Sequence, residues 1–260
     1  MDESNNQSDG GNRRNRPVGV LNSTHGKDDT EIPKNPKNMV KQPGRRRKQE
    51  RKQEVIDVAA RVFNEKGYGS SSIQDIADGV GILKGSLYYY IDSKEDLLYE
   101  ILRGVHEEAL ARIEEAVGAE SATLAKIRAF VVALFTFHAE NLVRIGVFFS
   151  DFRSLNPKRQ EAIIRERDRY DRLLRTLIKQ GQAEEVICRE LDPKVTDLAI
   201  LGMVNWIHQW YRPGGGRSAR AIAEDYADFA VAGIACTPET HVPGHRRRLG
   251  AEEPPLVPAT

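Results

Sequence analysis

Residues 72–98, SIQDIADGVGILKGSLYYYIDSKEDLL, restrict this chain more than any other run, because two helix starts, two glycine stops and an aromatic, basic surface share them. Ser72 with Asp75 three positions on has capping-box spacing, Ile76, Ala77 and Val80 lie on one face, and Gly79 and Gly81 end the helix. A second helix, over residues 84–90, can turn only Leu87 and the Tyr90/Ile91 edge inward, so Lys84, Ser86, Tyr88 and Tyr89 point out. Hydroxyls and an ammonium displayed from the first turns of a helix suit the base edges and phosphates of the DNA major groove, so the spacing predicts a DNA-binding helix-turn-helix. Ser93 and Asp96 repeat the capping spacing for a further helix, whose first turn holds Lys94. The helix dipole disfavours a cation there, and a DNA phosphate would reverse the sign of that penalty.

A formal charge of +1 on 260 residues excludes a general polyanion binder, so affinity for DNA has to be local. The basic run Arg45, Arg46, Arg47 and Lys48, with Arg51 and Lys52 behind it, precedes the helix-turn-helix and is expected to neutralise phosphates and make binding salt dependent. Cys188 and Cys236 are far apart in sequence, lack a CxxC or a His partner at metal spacing, and are expected to be reduced core thiols. No run has the apolar length of a membrane span and the N-terminus has no apolar h-region, which points to a cytoplasmic protein without a membrane partner. His106, His138 and His208 fall singly on different helices, as surface or satisfied core groups and not as metal ligands. No Ser-His-Asp order, nucleophile elbow or catalytic carboxylate pair emerges, and residues 214–216 lack the strand and Lys-Ser/Thr of a P-loop. A catalytic site, a metal and a cofactor are therefore not expected.

The helix-turn-helix run resembles the TetR family of bacterial one-component regulators, whose pattern is roughly T-I-x-x-I-A-x-x-A-G-V-S-K-G-T-L-Y-x-H-F-x-S-K-x-x-L. Ser72, Ile76, Ala77, Gly81, Lys84, Gly85, Ser86, Leu87, Tyr88, Ser93, Lys94, Leu97 and Leu98 match it. Leu83 departs from the usual Ser cap, Gly79 from Ala and Tyr90-Ile91 from His-Phe. A missing cap costs about 0.5–2 kcal/mol. The resemblance implies DNA contacts from Ser72, Lys84, Gly85, Ser86, Tyr88, Tyr89, Tyr90 and Lys94, beside the basic run at residues 45–48.

Taken in order, residues 1–44 are polar and aperiodic and read as a disordered arm, and residues 45–93 as a three-helix DNA-binding head. Val55, Ile56, Ala59, Val62 and Phe63 give the head's first helix, over residues 47–66, its apolar face. A long helix over residues 94–117 leaves the head. Further helices are expected over residues 122–139, 145–152, from Pro157 to about residue 182, from Pro193 to about residue 211, and 218–235. The fold class is all-α: the head plus a larger helical domain, residues 94–236, for effector binding and dimerisation, followed by a disordered tail over residues 237–260. Residues 195–210 and 221–234 are apolar on more than one face. In TetR proteins the last two helices build a homodimer, which implies a palindromic DNA operator.

Residues 205–216, NWIHQWYRPGGG, resemble the W-x-x-x-W-Y-x-P-x-G signature of TetR proteins that sense acyl-coenzyme A esters, and together with Phe148, Phe149 and Arg153-Ser154-Leu155 look most like the repressor of cholesterol ring degradation. On residues alone, Trp206 and Trp210, four apart, also suit a plain core stripe. The resemblance implies a ligand-responsive repressor released from its operator by a CoA thioester, of the steroid-ring catabolite class. Its acyl part would meet Phe148, Phe149, Phe152, Trp206 and Trp210, and its phosphates Arg153, Arg212 and Arg217. The alternatives are a TetR-type repressor that answers a generic hydrophobic drug or free fatty acid, and a helical enzyme acting on an acyl ester.

Overall fold

The computed structural model describes residues 43–236, with side chains from Arg47 onward. The arm expected over residues 1–44, apart from Pro43 and Gly44, and the tail expected over residues 237–260 lie outside the described residues. The described chain is helical: α1 (Pro43–Lys66), α2 (Ile73–Val80), α3 (Lys84–Leu87), α4 (Lys94–Gly118), α5 (Thr123–Glu140), α6 (Leu142–Asp151), a 3-10 turn Phe152–Ser154, α7 (Pro157–Ala183), α8 (Pro193–Asn205), α9 (Ile207–Trp210) and α10 (Ala219–Ile234).

Local chemistry sets most of these bounds. Asn156 and Asp192 each accept a backbone N–H in front of a proline that starts α7 and α8, and Ser218 caps α10. α1 stops at Gly67, and α2 at Gly81, both in left-handed backbone with φ of 77° and 72°. The expected helix over residues 193–211 is instead broken at Trp206. His208 Nδ1 donates to the Asn205 carbonyl at 2.7 Å, and Gln209 N turns to the Trp206 carbonyl, so a side chain takes the acceptor that a continuous helix would need.

Two apolar cores result. One joins α1, α2 and α3 to the first half of α4 and extends to Val147 of α6 and to Leu155 and Ile163. The other surrounds α5, whose Ile127, Phe130, Val131, Leu134, Phe135 and Phe137 are buried almost all round by α4, α7, α8, α9 and α10. Full burial of each such side chain contributes about 1.5–3 kcal/mol. α6 packs on α1, closely enough that a Cβ on Gly146 would sit 2.7 Å from Asn64 Oδ1. An isolated antiparallel bridge between Ile187 and Ala235 ties the α7–α8 turn to the end of α10. It corrects the expectation for the cysteines: Cys188 and Cys236 are neighbours, and both are half-buried, not core groups. Burial first, and the Cys188 thiol second, push the Cys236 thiol up from its usual pKa.

Candidate operator-binding face and effector region

The capping box at α2 is closed in both directions. Ser72 Oγ accepts from Asp75 N at 3.1 Å, while Asp75 Oδ2 accepts from Ser72 N and from Ser72 Oγ, each at 2.7 Å. The Ser72 hydroxyl, expected on DNA, is thus engaged in capping. Lys66 first, and the Ser72 bonds second, hold the Asp75 carboxyl far below its usual range. α3 spans a single α-turn and continues to Tyr90 through i to i−3 bonds, Tyr89 N to Ser86 O and Tyr90 N to Leu87 O. Leu83 offers α3 no side-chain cap, as expected, and its own side chain is 81% exposed at the front of that turn.

Leu87 is fully buried and anchors the element, whereas Lys84, Gly85, Ser86, Tyr88 and Tyr89 are exposed and Tyr90 is half-buried, edge-on to Tyr89 at 5.3 Å. Lys48 Nζ sits 4.3 Å from the Tyr89 ring centroid, which brings the start of α1 beside the exposed turn. Arg47 is exposed; the side chains of Arg45 and Arg46 lie outside the described residues. Two charges of the basic run are engaged within the protein: Arg51 pairs with Glu54 at 2.5 Å and Lys52 with Glu100 at 3.6 Å.

Lys94 corrects the sequence reading. Its ammonium donates to the carbonyls of Tyr68 and Ser71, the latter at 2.5 Å, and lies 4.3 Å from the Tyr68 ring centroid. Two carbonyls and a ring face offset the unfavourable helix dipole, so no phosphate is needed to explain a lysine there. Desolvation lowers its pKa from the usual lysine value.

The expected effector residues divide into separate groups. Phe149 stacks on His208 at 4.3 Å with 7° between planes, and Trp206, 63% exposed, is edge-on to His208 at 6.0 Å. The two tryptophans form no common stripe, because Trp210 turns to Phe135 and Tyr226 on the far side of the break. Phe148, edge-on to His106 at 4.8 Å, faces the interior, and Phe152 packs on Phe148. Arg153 is exposed on the 3-10 turn. Arg212 folds back on the Tyr211 and Gln209 carbonyls at 2.9 and 3.1 Å, and Arg217 pairs with Asp225. Two of the three arginines, Arg212 and Arg217, are thus engaged within the protein.

Sequence reasoning missed a polar interior. His106 and His138 are buried, and one nitrogen of each, His106 Nε2 and His138 Nδ1, has no partner among the protein's own groups. Burial is the first cause that lowers their pKa, to about 3 and about 4. Tyr170 Oη lies 3.3 Å from His106 Nδ1. Nearby on α7, burial and then Asp197 push Asp171 up to about 6, while Asp197 itself is held by Arg175 at 2.6 Å. Single histidines with no motif around them gave no signal in the sequence; only the packing of α4, α5 and α7 shows their burial. Among the described residues no three His, Cys, Asp or Glu side chains converge as metal ligands.

The start of α7 is fastened to the start of α4. Arg159 donates to Asp96 and covers the Tyr99 ring, and Glu95 Oε1 accepts from Asn156 N and Nδ2 at 3.0 and 2.6 Å. Asp96 N in turn donates to Ser93 Oγ, the cap that follows the exposed turn of the head.

A helix-turn-helix head whose exposed turn is wired into a helical bundle with a polar interior defines a DNA-binding regulator. A model described as bacterial regulatory proteins, tetR family, matches residues 55–101, and one described as the tetracyclin repressor-like C-terminal domain matches residues 120–234. The chain belongs to the TetR family of transcriptional regulators and is not an enzyme. It is similar to the HTH-type transcriptional repressor KstR2 of Mycobacterium tuberculosis, 28% identical over 71% of this chain and 92% of that one. The solved structure of that ketosteroid transcriptional regulator superposes with a TM-score of 0.67 over 72% of this chain and 96% of its own. PfmR from Thermus thermophilus is 32% identical, with a TM-score of 0.64 over 68% of this chain and 97% of its own. AibR, solved with isovaleryl coenzyme A and operator DNA, shares the fold at 23% identity, with a TM-score of 0.63 over 69% of this chain and 97% of its own. Among the described residues no single helix is long and apolar enough to cross a membrane.

Proposed function

We propose that the protein is a cytoplasmic homodimeric repressor that binds a palindromic operator through its α3 turn and leaves it when a CoA thioester, of the steroid-ring catabolite class, fills the helical domain. The observation that carries this reading is the aromatic bracket of exposed Phe149 on α6, half-buried His208 on α9 and exposed Trp206 at the break between α8 and α9. An exposed bracket of this kind suits an amphipathic ligand that enters from the surface. The ketosteroid regulator KstR2 and the isovaleryl-CoA complex of AibR support the class. Exposed Val195, Leu198 and Phe229 on α8 and α10 supply an apolar face for a second copy, and pairing on it sets two heads at fixed spacing. α4 joins the two cores, its first half packing in the head's core and its second half in the other.

A route for the signal runs through α6, which carries Phe149 at the surface and Phe148 against the head's core and packs on α1. A ligand releases DNA only to the extent that it binds the DNA-incompetent arrangement more tightly. The test is gel-shift release by a steroid-ring-derived CoA ester against the same acid without CoA, in wild type, Arg153→Ala and Arg212→Ala. Release by the ester alone, weakened in the arginine variants, is expected. Equal release by the free acid favours a generic hydrophobic effector, a reading to which the internal engagement of Arg212 and Arg217 lends weight.

A further inference from the structure

The turn into α3 breaks two local rules, and no contact inside the protein compensates for either. Leu83 precedes the helix where the family pattern has a Ser cap, gives it no side-chain hydrogen bond, and at 81% exposure is the most exposed large apolar side chain among the described residues. A missing cap is unfavourable, and so is an apolar side chain held in water. The apolar contacts of the turn are made by its neighbours: Ile82 packs against the head's core and Leu87 is fully buried in it. Leu83 is therefore surplus to the apolar pair that fixes the entry to α3. Gly85 is the second exception. Its φ is not left-handed and an added Cβ would meet no atom within 4 Å, so neither backbone nor packing calls for a glycine. In a helix that glycine is about 1 kcal/mol poorer than Ala.

The backbone that carries Leu83 is held from both sides. Ile82 N donates to the Ala77 carbonyl at 3.0 Å, and the Leu83 carbonyl accepts from Ser86 N at 2.9 Å. Leu83 and Leu87 would share one face of a continuous helix, but extended backbone at Leu83, with φ of −67° and ψ of 143°, turns the first outward while the second stays in the core. A fixed apolar group beside a position without a side chain suits a surface that comes close and offers apolar atoms.

We infer that Leu83 sets operator specificity by packing on the C5-methyl group of a thymine in each half-site. This rests on the reading that the α3 turn enters the major groove, and adds to it a residue and a base. In that groove guanine, adenine and cytosine present nitrogen and oxygen donors and acceptors, and only thymine presents a methyl group. An isobutyl side chain has no polar atom to pair with a donor or acceptor and would strip water from it without replacement. Against a methyl group it removes apolar surface from water on both sides. Gly85 lets the duplex come near enough for so short a side chain to reach.

The experiment uses the full chain and a duplex that it enriches from a random-sequence pool. Each thymine of that duplex is replaced in turn by deoxyuridine, which keeps every hydrogen-bonding group and lacks only the methyl, and binding is followed by fluorescence anisotropy of the labelled duplex. Wild type is expected to lose about 3- to 10-fold in affinity at one thymine position per half-site, the range for burying one methyl group. Leu83→Ser and Leu83→Ala should bind the thymine and deoxyuridine duplexes alike at that position, whereas Leu83→Met keeps the discrimination. Cytosine at the same place should weaken wild type, and 5-methylcytosine should recover part of the loss, because the methyl group returns. Leu83→Ser restores a side-chain cap and should melt no lower than wild type, which separates lost recognition from lost folding. The inference is overturned when no thymine position of the enriched duplex responds to loss of its methyl group in wild type, or when the response persists in Leu83→Ser and Leu83→Ala. A duplex that Lys84→Ala binds more weakly but whose methyl groups do not matter sinks this inference alone. A duplex that Lys84→Ala, Ser86→Ala and Leu83→Ser all bind as wild type does sinks the docking of the α3 turn as well.

Discussion

Lys94 shows how one residue changes role between sequence and structure. Its ammonium bonds to the carbonyls of Tyr68 and Ser71 and clamps the loop before α2 onto α4. Lys94→Met should therefore lower the stability of the protein by about 1.5–3 kcal/mol, the range for hydrogen bonds from a charged group, measured by urea unfolding without DNA. Unchanged stability with weakened binding to every operator would return the lysine to a phosphate contact. Lys48, exposed beside Tyr89, is the better candidate for that contact. Lys48→Ala should lower the slope of log affinity against log salt by about one unit on any operator. Leu83→Ala and Ser86→Ala should instead shift preference among operator variants, since apolar contact reads a thymine methyl and a hydroxyl reads a base edge. The buried histidines set a pH dependence of stability. Their folded pKa values, about 3 and about 4, lie below the usual 6.5, so the unfolded chain binds more protons and stability falls as pH drops below 6.5. Asp171, raised to about 6, acts in the opposite direction, its contribution growing as pH falls through 6. Weighing two histidines against one aspartate, unfolding free energy should drop by about 2–3 kcal/mol between pH 7 and pH 5, and His106→Gln/His138→Gln should remove the drop.

At the scale of elements, caps and packing divide the work. The bounds of α2, α4, α7, α8 and α10 follow from side-chain caps that the spacing of Ser, Asn and Asp announces. Gly181, inside α7, has a different reason. A Cβ there would run into Ile187 Cδ1 and lie 2.7 Å from Ile187 Cγ1, and Ile187 is buried beneath the α7–α8 turn. Gly181→Ala gains about 1 kcal/mol in helix propensity but forces Ile187 aside, an overpacking cost of about 1–3 kcal/mol, so a net loss in melting temperature is expected. An increase would mean that the bridge between Ile187 and Ala235 yields freely.

For the whole molecule, Arg159 and Asn156 fasten the start of α7 to Glu95 and Asp96 of α4, the helix behind the exposed α3 turn. Arg159→Ala should leave effector affinity nearly unchanged while weakening effector-driven release of DNA, by part of the roughly 5- to 150-fold range typical of allosteric coupling. Fluorescence titration and gel shift on the same sample separate the two effects; loss of effector binding itself would make Arg159 a ligand contact. Phe229, 70% exposed on α10, tests assembly, because Phe229→Glu should shift sedimentation toward monomer and weaken operator binding with it.

By itself the sequence determined most of the helices, their caps, the exposed Lys-Ser-Tyr surface of the α3 turn and the family, because each depends on residues within a turn or two of one another. Three features were decided only by tertiary structure. The break at Trp206 needs His208 to reach the Asn205 carbonyl and to stack on Phe149 from another helix. The burial of His106 and His138 depends on α4, α5 and α7 closing around them, which no periodicity along one helix can reveal. The partners of Lys94 and Lys52 are carbonyls and a carboxylate remote in the chain, so a charge that looks free in the sequence is engaged once the helices pack. Local patterns encode where a helix starts and stops; which of its polar groups remain available for DNA or ligand depends on long-range packing.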